Sequence, residues 1–253
     1  PLHVFPSGAS YVGEWRSRER HGLGRQRWPD GSVYAGEWLR SEAQGYGELA
    51  SPDGNLYIGQ WLHGLTSGLG VYYSDGDTAI FRGRWLNDLQ DGPGQEICTN
   101  GSVYVGQHVQ GRRQGFGIYR WPDGSEYLGQ WEDNCINGLG HYKGSDGRQF
   151  RGQWRDAKLH GCGLYSWPDG RTYRGQYKDD HKHGFGIFDW KDGRKFIGFW
   201  QHGKQHGCGL SYDASGALYL HGRWDMGVYC ADSGQLEVAQ RLRQAGVNTS
   251  ERE

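Results

Sequence analysis

The sequence predicts an all-β chain: an elongated single-layer solenoid of about ten β-hairpin repeats of 23 residues, followed by a short C-terminal capping helix. Three observations predict it. The glycine of a Tyr-x-Gly-x-Trp element returns at Gly13, Gly36, Gly59, Gly83, Gly106, Gly129, Gly152, Gly175, Gly198 and Gly222, at intervals of 23 residues with two of 24. Gly-x-Gly pairs keep step with it, beginning at Gly22, Gly45, Gly68, Gly92, Gly115, Gly138, Gly161, Gly184 and Gly207. Composition agrees, with 45 Gly, 12 Trp and 16 Tyr against a single Met, while Leu, Ile, Val and Phe make up about a sixth of the chain. Aromatic rings then supply the apolar area, each able to bury on the order of 150–250 Å².

The best-formed copy, Gly115 to Asn137, shows the parts of one repeat. A strand-like run leads from Gly115 and Gly117 to Trp121, and Pro122-Asp123-Gly124 supplies the turn. Proline presets φ, aspartate tolerates the next position, and glycine takes the left-handed conformation of a three-residue hairpin with a bulge. In the second run, alternation puts Tyr127, Gly129 and Trp131 on one face and Leu128 and Gln130 on the other. The small residue between two rings is expected to leave a slot for the ring of a neighbouring copy.

In chain order, Leu2 to Phe5 and Pro6-Ser7-Gly8 align with the strand and turn of a repeat, so the chain starts inside one and is expected to be a piece of a longer protein. Repeats ending at Trp15, Trp38 and Trp61 are regular. In the fourth, Phe81 is the fifth residue after Asp75-Gly76 where the third is the norm, which predicts a distorted hairpin. The fifth carries Pro93 inside its Gly-x-Gly and His108 at the Trp position, which predicts a weak or bent middle. Tyr177 is a milder exchange for Trp. In the tenth copy one extra residue puts Leu220 at the tyrosine position unless a bulge restores Tyr219. Residues 1–224 are read as the solenoid, 225–247 as a cap with a helix over Ser233 to Ala245, and 248–253 as a disordered tail. Asp232 and Gln235 form the capping box of that helix, and its role is to cover the last sheet edge.

The Tyr-x-Gly-x-Trp and Gly-x-Gly elements, ten and nine times in register from about Leu2 to Trp224, resemble the MORN repeats (membrane occupation and recognition nexus). The resemblance implies a β-hairpin solenoid that binds or assembles without chemistry of its own. It names no partner.

Candidate chemistry is sparse. His21, His160, His183 and His206 precede Gly-x-Gly, and His160-Gly-Cys162 and His206-Gly-Cys208 set His and Cys two apart, a spacing that could hold two zinc ligands. The two sites lie roughly 19 Å apart by strand spacing, so one ion cannot use both within a chain; a zinc shared between chains or recruiting His183 stays open, and a recurrent polar position is the preferred reading. No metal, cofactor or catalytic residue is assigned. Each Gly-x-Gly leads into a strand and not a helix, which excludes a dinucleotide fingerprint. Five cysteines scattered over different repeats argue for reduced thiols.

Charge breaks the symmetry: residues 51–100 hold six acidic and two basic side chains, and residues 151–200 hold ten basic and six acidic. Lys178, Lys182, Lys191, Arg194, Lys195 and Lys204 are the candidate contacts for an anionic ligand such as lipid headgroups, although interspersed aspartates favour a solvated face. A net charge of −1 argues against nucleic acid. The expected function is a non-catalytic scaffold for protein assembly and self-association, cytoplasmic and at a membrane–cytoskeleton junction. The alternatives are a regulatory module of a larger enzyme, as MORN repeats joined to lipid kinases or a methyltransferase imply, and direct binding of anionic phospholipid. Self-association is expected as an antiparallel homodimer through the C-terminal half, sharing Phe188, Phe199, Trp200 and Tyr212.

Overall fold

The computed structural model describes residues 2–74, 78–231, 240, 241 and 244. Among them are 21 strands, from Leu2–Val4 to Val228–Ala231, and they gather into two compact units, Pro1–Pro122 with Glu132–Asn134 and Asp123–Trp131 with Cys135–Glu253. In the first unit every strand through Arg112–Arg120 pairs antiparallel with the next in sequence. In the second the same holds from Cys135–Lys143 to Val228–Ala231. The sheet thus runs one strand beyond Trp224. The expected cap helix over 233–245, apart from Gln240, Arg241 and Gln244, and the tail 248–253 lie outside the described residues.

Two kinds of turn alternate. The Trp-Pro-Asp-Gly turns have the expected form: Gly31 N–H donates to Trp28 O at 3.1 Å, Trp28 N–H to Ser32 O at 2.9 Å, and Ser32 N–H to Asp30 Oδ1 at 2.9 Å. The second kind, joining one repeat to the next, is a two-residue turn with both φ positive, as at Ser17 (49°) and Arg18 (70°) or Asp156 (49°) and Ala157 (59°). This is the mirror-image turn whose twist suits a hairpin. From Arg40-Ser41 onward each also stitches repeats, because its second N–H donates one hairpin back, Ser41 to Arg20 O at 3.0 Å and Gly203 to Lys182 O at 3.0 Å.

The core is a relay of rings. Tyr34 is 1% exposed and stands edge-on between Trp38 (5.0 Å) and Trp61 (5.1 Å), and Tyr173 stands likewise between Tyr177 (5.2 Å) and Trp200 (5.3 Å). Each such contact adds about 0.5–1.5 kcal/mol beyond area burial. The expected slot exists but is filled differently. A Cβ on Gly129 would lie 2.3 Å from Tyr127 Oη and 2.6 Å from Gly140 Cα, so the ring over the glycines is that of the repeat's own tyrosine, not a neighbour's. The neighbour contributes its Trp to the ring's other side, with Trp154 at 5.5 Å from Tyr127.

Many of the ring polar groups in this packing bond to backbone carbonyls. Tyr34 Oη donates to Glu37 O at 3.0 Å, and Trp38 Nε1 to Gly24 O at 3.1 Å. Burial pushes the Tyr34 hydroxyl well above its ordinary pKa, keeping it a neutral donor. The first glycine of each Gly-x-Gly has positive φ (Gly22, 59°), and in six copies the N–H that follows is taken by the residue before the Trp position, as where Leu23 N–H donates to Glu14 Oε1 at 3.0 Å and Leu139 N–H to Gln130 Oε1 at 2.6 Å. In the fifth copy Pro93 has no N–H to offer, and the residue in the acceptor's place is Arg84, which has no acceptor. The ladder keeps its register there, with Gln107 opposite Pro93 and Gly106 opposite Gly94.

The other irregular copies behave as follows. The fourth hairpin is distorted, with a register shift between Tyr72 and Tyr73, and its tip at 75–77 lies outside the described residues. In the tenth copy Ser211 pairs with Leu220 and Tyr212 with Leu218, so Leu220 takes the tyrosine position and Tyr219 is turned out, 70% exposed.

Candidate functional site

The tyrosines and most tryptophans of the relay are spent on the fold. A second row of rings is not. Trp28 and Tyr72 in the first unit, and Tyr142, Tyr165, Trp167 and Trp190 in the second, pack against the buried relay while staying half-exposed. Three of the tryptophans stand immediately before a Pro-Asp-Gly or Lys-Asp-Gly turn, which fixes their backbone.

Beside these rings one position varies from copy to copy: Arg20, Ala43, Thr66, Gln90, Arg113, Ile136, Leu159, Lys182 and Gln205. Its carbonyl accepts the stitch from the next turn in every copy, so the backbone is the same and only the side chain changes. Where it is a cation, that cation lies on rings. Arg20 sits 4.3 Å from the Trp38 ring centre, and Arg113 lies 5.2 Å from both Tyr104 and Tyr119. Lys182 Nζ is 4.4 Å from Phe188, 4.5 Å from Trp200, 5.4 Å from Tyr173 and 5.9 Å from Trp167. Burial, with the nearby Arg171 charge, pushes the Lys182 ammonium down to about 8.

Arg113 also anchors a half-buried ionic cluster. It grips Glu96 through Nε (2.9 Å) and Nη2 (2.8 Å), while His108, 1% exposed, stands 3.6 Å from Glu96 and edge-on to Phe81 (5.0 Å) and Tyr104 (5.1 Å). Burial opposes ionisation of Glu96, but contacts with His108 and Arg113 outweigh it and hold the carboxyl at about 2. His108 therefore keeps the ring's place in the relay.

The residues assigned to a dimer interface do not share one surface. Phe188 and Trp200 are 5% and 6% exposed inside the aromatic core, whereas Phe199 and Tyr212 pack with Cys208 and Leu210 in a separate cluster. The six candidate anion contacts are likewise divided. Lys182 faces rings, Arg194 pairs with Asp192 (2.8 Å) and Lys195 with Asp189 (3.3 Å), leaving Lys178, Lys191 and Lys204 exposed and outside ion-pair distance of any described carboxylate. Among the described residues no three metal-ligating side chains come together. His160 and His206 stand 3.6 Å from Asp179 and 3.2 Å from Asp225, and Cys208 is buried among apolar side chains. Sequence reading missed the variable position and the half-exposed row. Their only signal was substitution at a fixed offset from Gly-x-Gly, which acquires meaning once register shows what it faces.

A family model described as MORN repeat matches nine consecutive segments, residues 11–33, 34–56, 57–78, 81–103, 104–126, 127–147, 150–170, 173–193 and 196–217. The chain belongs to the MORN repeat family. MORN repeats form a non-catalytic module for scaffolding and binding. No curated protein matches the chain. Among solved structures, the TCP domain of SAS-4 (dCPAP) of Drosophila melanogaster, in complex with a proline-rich motif of Ana2 (dSTIL), is similar at 11% identity over 68% of this chain and 86% of that one, with a TM-score of 0.37. The wild-type TCP10 domain of Danio rerio CPAP is similar at 12% identity over 88% and 100% of the two chains, with a TM-score of 0.31, and its complex with a peptide of Danio rerio STIL at 11%, 88% and 99%, with a TM-score of 0.28. At these scores function does not transfer.

Proposed function

We propose that this MORN chain is a protein-assembly scaffold whose aromatic face, in each unit, takes up a segment of a partner protein. The observation that carries the reading is the half-exposed ring row, because rings packed on one side and open on the other offer apolar area at small further entropy cost. Self-association and placement where membrane and cytoskeleton meet extend the reading; the family and the charge asymmetry of the sequence support them. Light scattering at micromolar concentration tests the first, a mass near 28.6 kDa excluding a stable dimer.

The main test is selection of peptides from a random display library on the whole chain, followed by binding to Trp167→Ala and Trp190→Ala variants. Selected peptides are expected to bind one or both variants at least tenfold more weakly while far-ultraviolet dichroism is unchanged. Peptides that ignore both substitutions, and Trp28→Ala as well, overturn the reading.

A further inference from the structure

Six repeats separate Lys182 from Ala43, and every ring neighbour of Lys182 has a counterpart at the same offset: Trp28 for Trp167, Tyr34 for Tyr173, Leu49 for Phe188 and Trp61 for Trp200. The backbone frame is shared as well. Trp38 pairs with Ala43 as Tyr177 pairs with Lys182, and Ala43 O accepts from Gly64 N–H at 2.9 Å as Lys182 O does from Gly203 at 3.0 Å. At the position itself the side chain alone differs, and among the four neighbours Phe188 alone loses its ring, to Leu49. Above Ala43 is a cavity of about 530 Å³ whose lining includes all four counterparts.

From this correspondence we infer that the Ala43 cavity is a docking pocket for a lysine side chain of a partner protein. The inference rests on the reading that the aromatic face takes up a protein segment, and adds which side chain that segment brings. The chain itself supplies the precedent, since it places a cation on rings at this position in three other copies. Ring faces attract a desolvated cation through their quadrupole. The pocket is also preformed, because Trp38 Nε1, Trp61 Nε1 and Tyr34 Oη each donate to a backbone carbonyl and cannot turn freely. Charge at the rim fits the occupant: Asp30 and Glu42 are exposed carboxylates in the lining. Arg20, also in the lining, is tied to Ser41 O at 2.6 Å and to Gln26, and its guanidinium covers Trp38. Arg171, which stands near Lys182, is replaced at the same offset by the neutral Ser32.

The test is a titration of the whole chain with hexalysine amide, followed through the tryptophan indole N–H resonances. In the wild type, the Trp38 and Trp61 signals are expected to shift and saturate. Ala43→Gln fills the cavity without adding charge, with a residue the chain itself uses at Gln90 and Gln205, and should weaken the response at least tenfold. Lys182→Ala should open a second pocket and bring a new response at Trp200. An Ala43→Gln variant that folds and responds as the wild type does, or no response of Trp38 and Trp61 in the wild type, overturns the pocket. If neither Ala43→Gln nor Ala43→Ser folds, the space is not free and the inference fails too. Display-selected peptides that bind Ala43→Gln as tightly as wild type leave the aromatic-face reading standing and remove the lysine pocket alone.

Discussion

Replacing Gly129 by alanine should unfold the second unit's first hairpin far more readily than any general rule for glycine suggests. In an ordinary strand the change would stabilise, since glycine there costs roughly 0.5–1 kcal/mol relative to alanine. Here the new Cβ meets Tyr127 Oη at 2.3 Å and, on the facing strand, Gly140 Cα and Leu139 O at 2.6 Å each. Two escapes exist. If the strands part, overpacking costs about 1–3 kcal/mol and the Tyr127 Oη bond to Gln130 O, 3.0 Å long, adds about 1 kcal/mol. If the ring leaves, 150–250 Å² of buried surface is lost, about 4–6 kcal/mol at 25 cal/mol per Å². The cheaper route sets a loss of about 3 kcal/mol, comparable with the roughly 3–5 kcal/mol expected for Trp131→Ala. Urea unfolding followed by tryptophan fluorescence measures both. Gly124→Ala, in a turn with no atom within 4 Å of the new Cβ but φ of 86°, should cost only about 1–2 kcal/mol. A Gly129→Ala chain as stable as wild type would refute the placement of the tyrosine ring over the glycine pair.

Three further outcomes are expected. Because the folded Glu96 carboxyl titrates at about 2, below its ordinary 4.5, its contribution is complete above pH 4.5 and is lost as pH falls towards 2; Glu96→Gln should flatten the stability profile in that window. Lys182 has its folded pKa lowered to about 8 from 10.5, so between pH 8 and about 10 the unfolded chain binds more protons and stability should rise with pH, a rise that Lys182→Met abolishes in denaturant titrations. Ala157 holds φ of 59° in a tight turn, and Ala157→Gly should raise stability by about 1 kcal/mol in the same assay, with no gain if the turn is not of the mirror-image type.

The sequence by itself determined the repeat, its copy number, the Pro-Asp-Gly turns and the inward set of Tyr, Gly and Trp. Each is a local property: turn chemistry acts within four residues, and period-two alternation fixes faces without reference to anything distant. Leu220 at the last tyrosine position was legible for the same reason, since an inserted residue moves a strand by one. Turns such as Ser17-Arg18 and Asp156-Ala157 were not legible, because Ser, Arg and Ala do not favour positive φ and the pairing strands impose it. Only tertiary structure decided which ring fills the glycine slot, that His108 is held in the relay beside Glu96 and Arg113, and that Phe188 and Phe199 belong to different clusters. It also decided the candidate site. Ala43 is an unremarked letter in the chain, and Lys182 one basic residue among several, until register places each against its four counterpart side chains, and only that shared frame turns a missing side chain into a pocket.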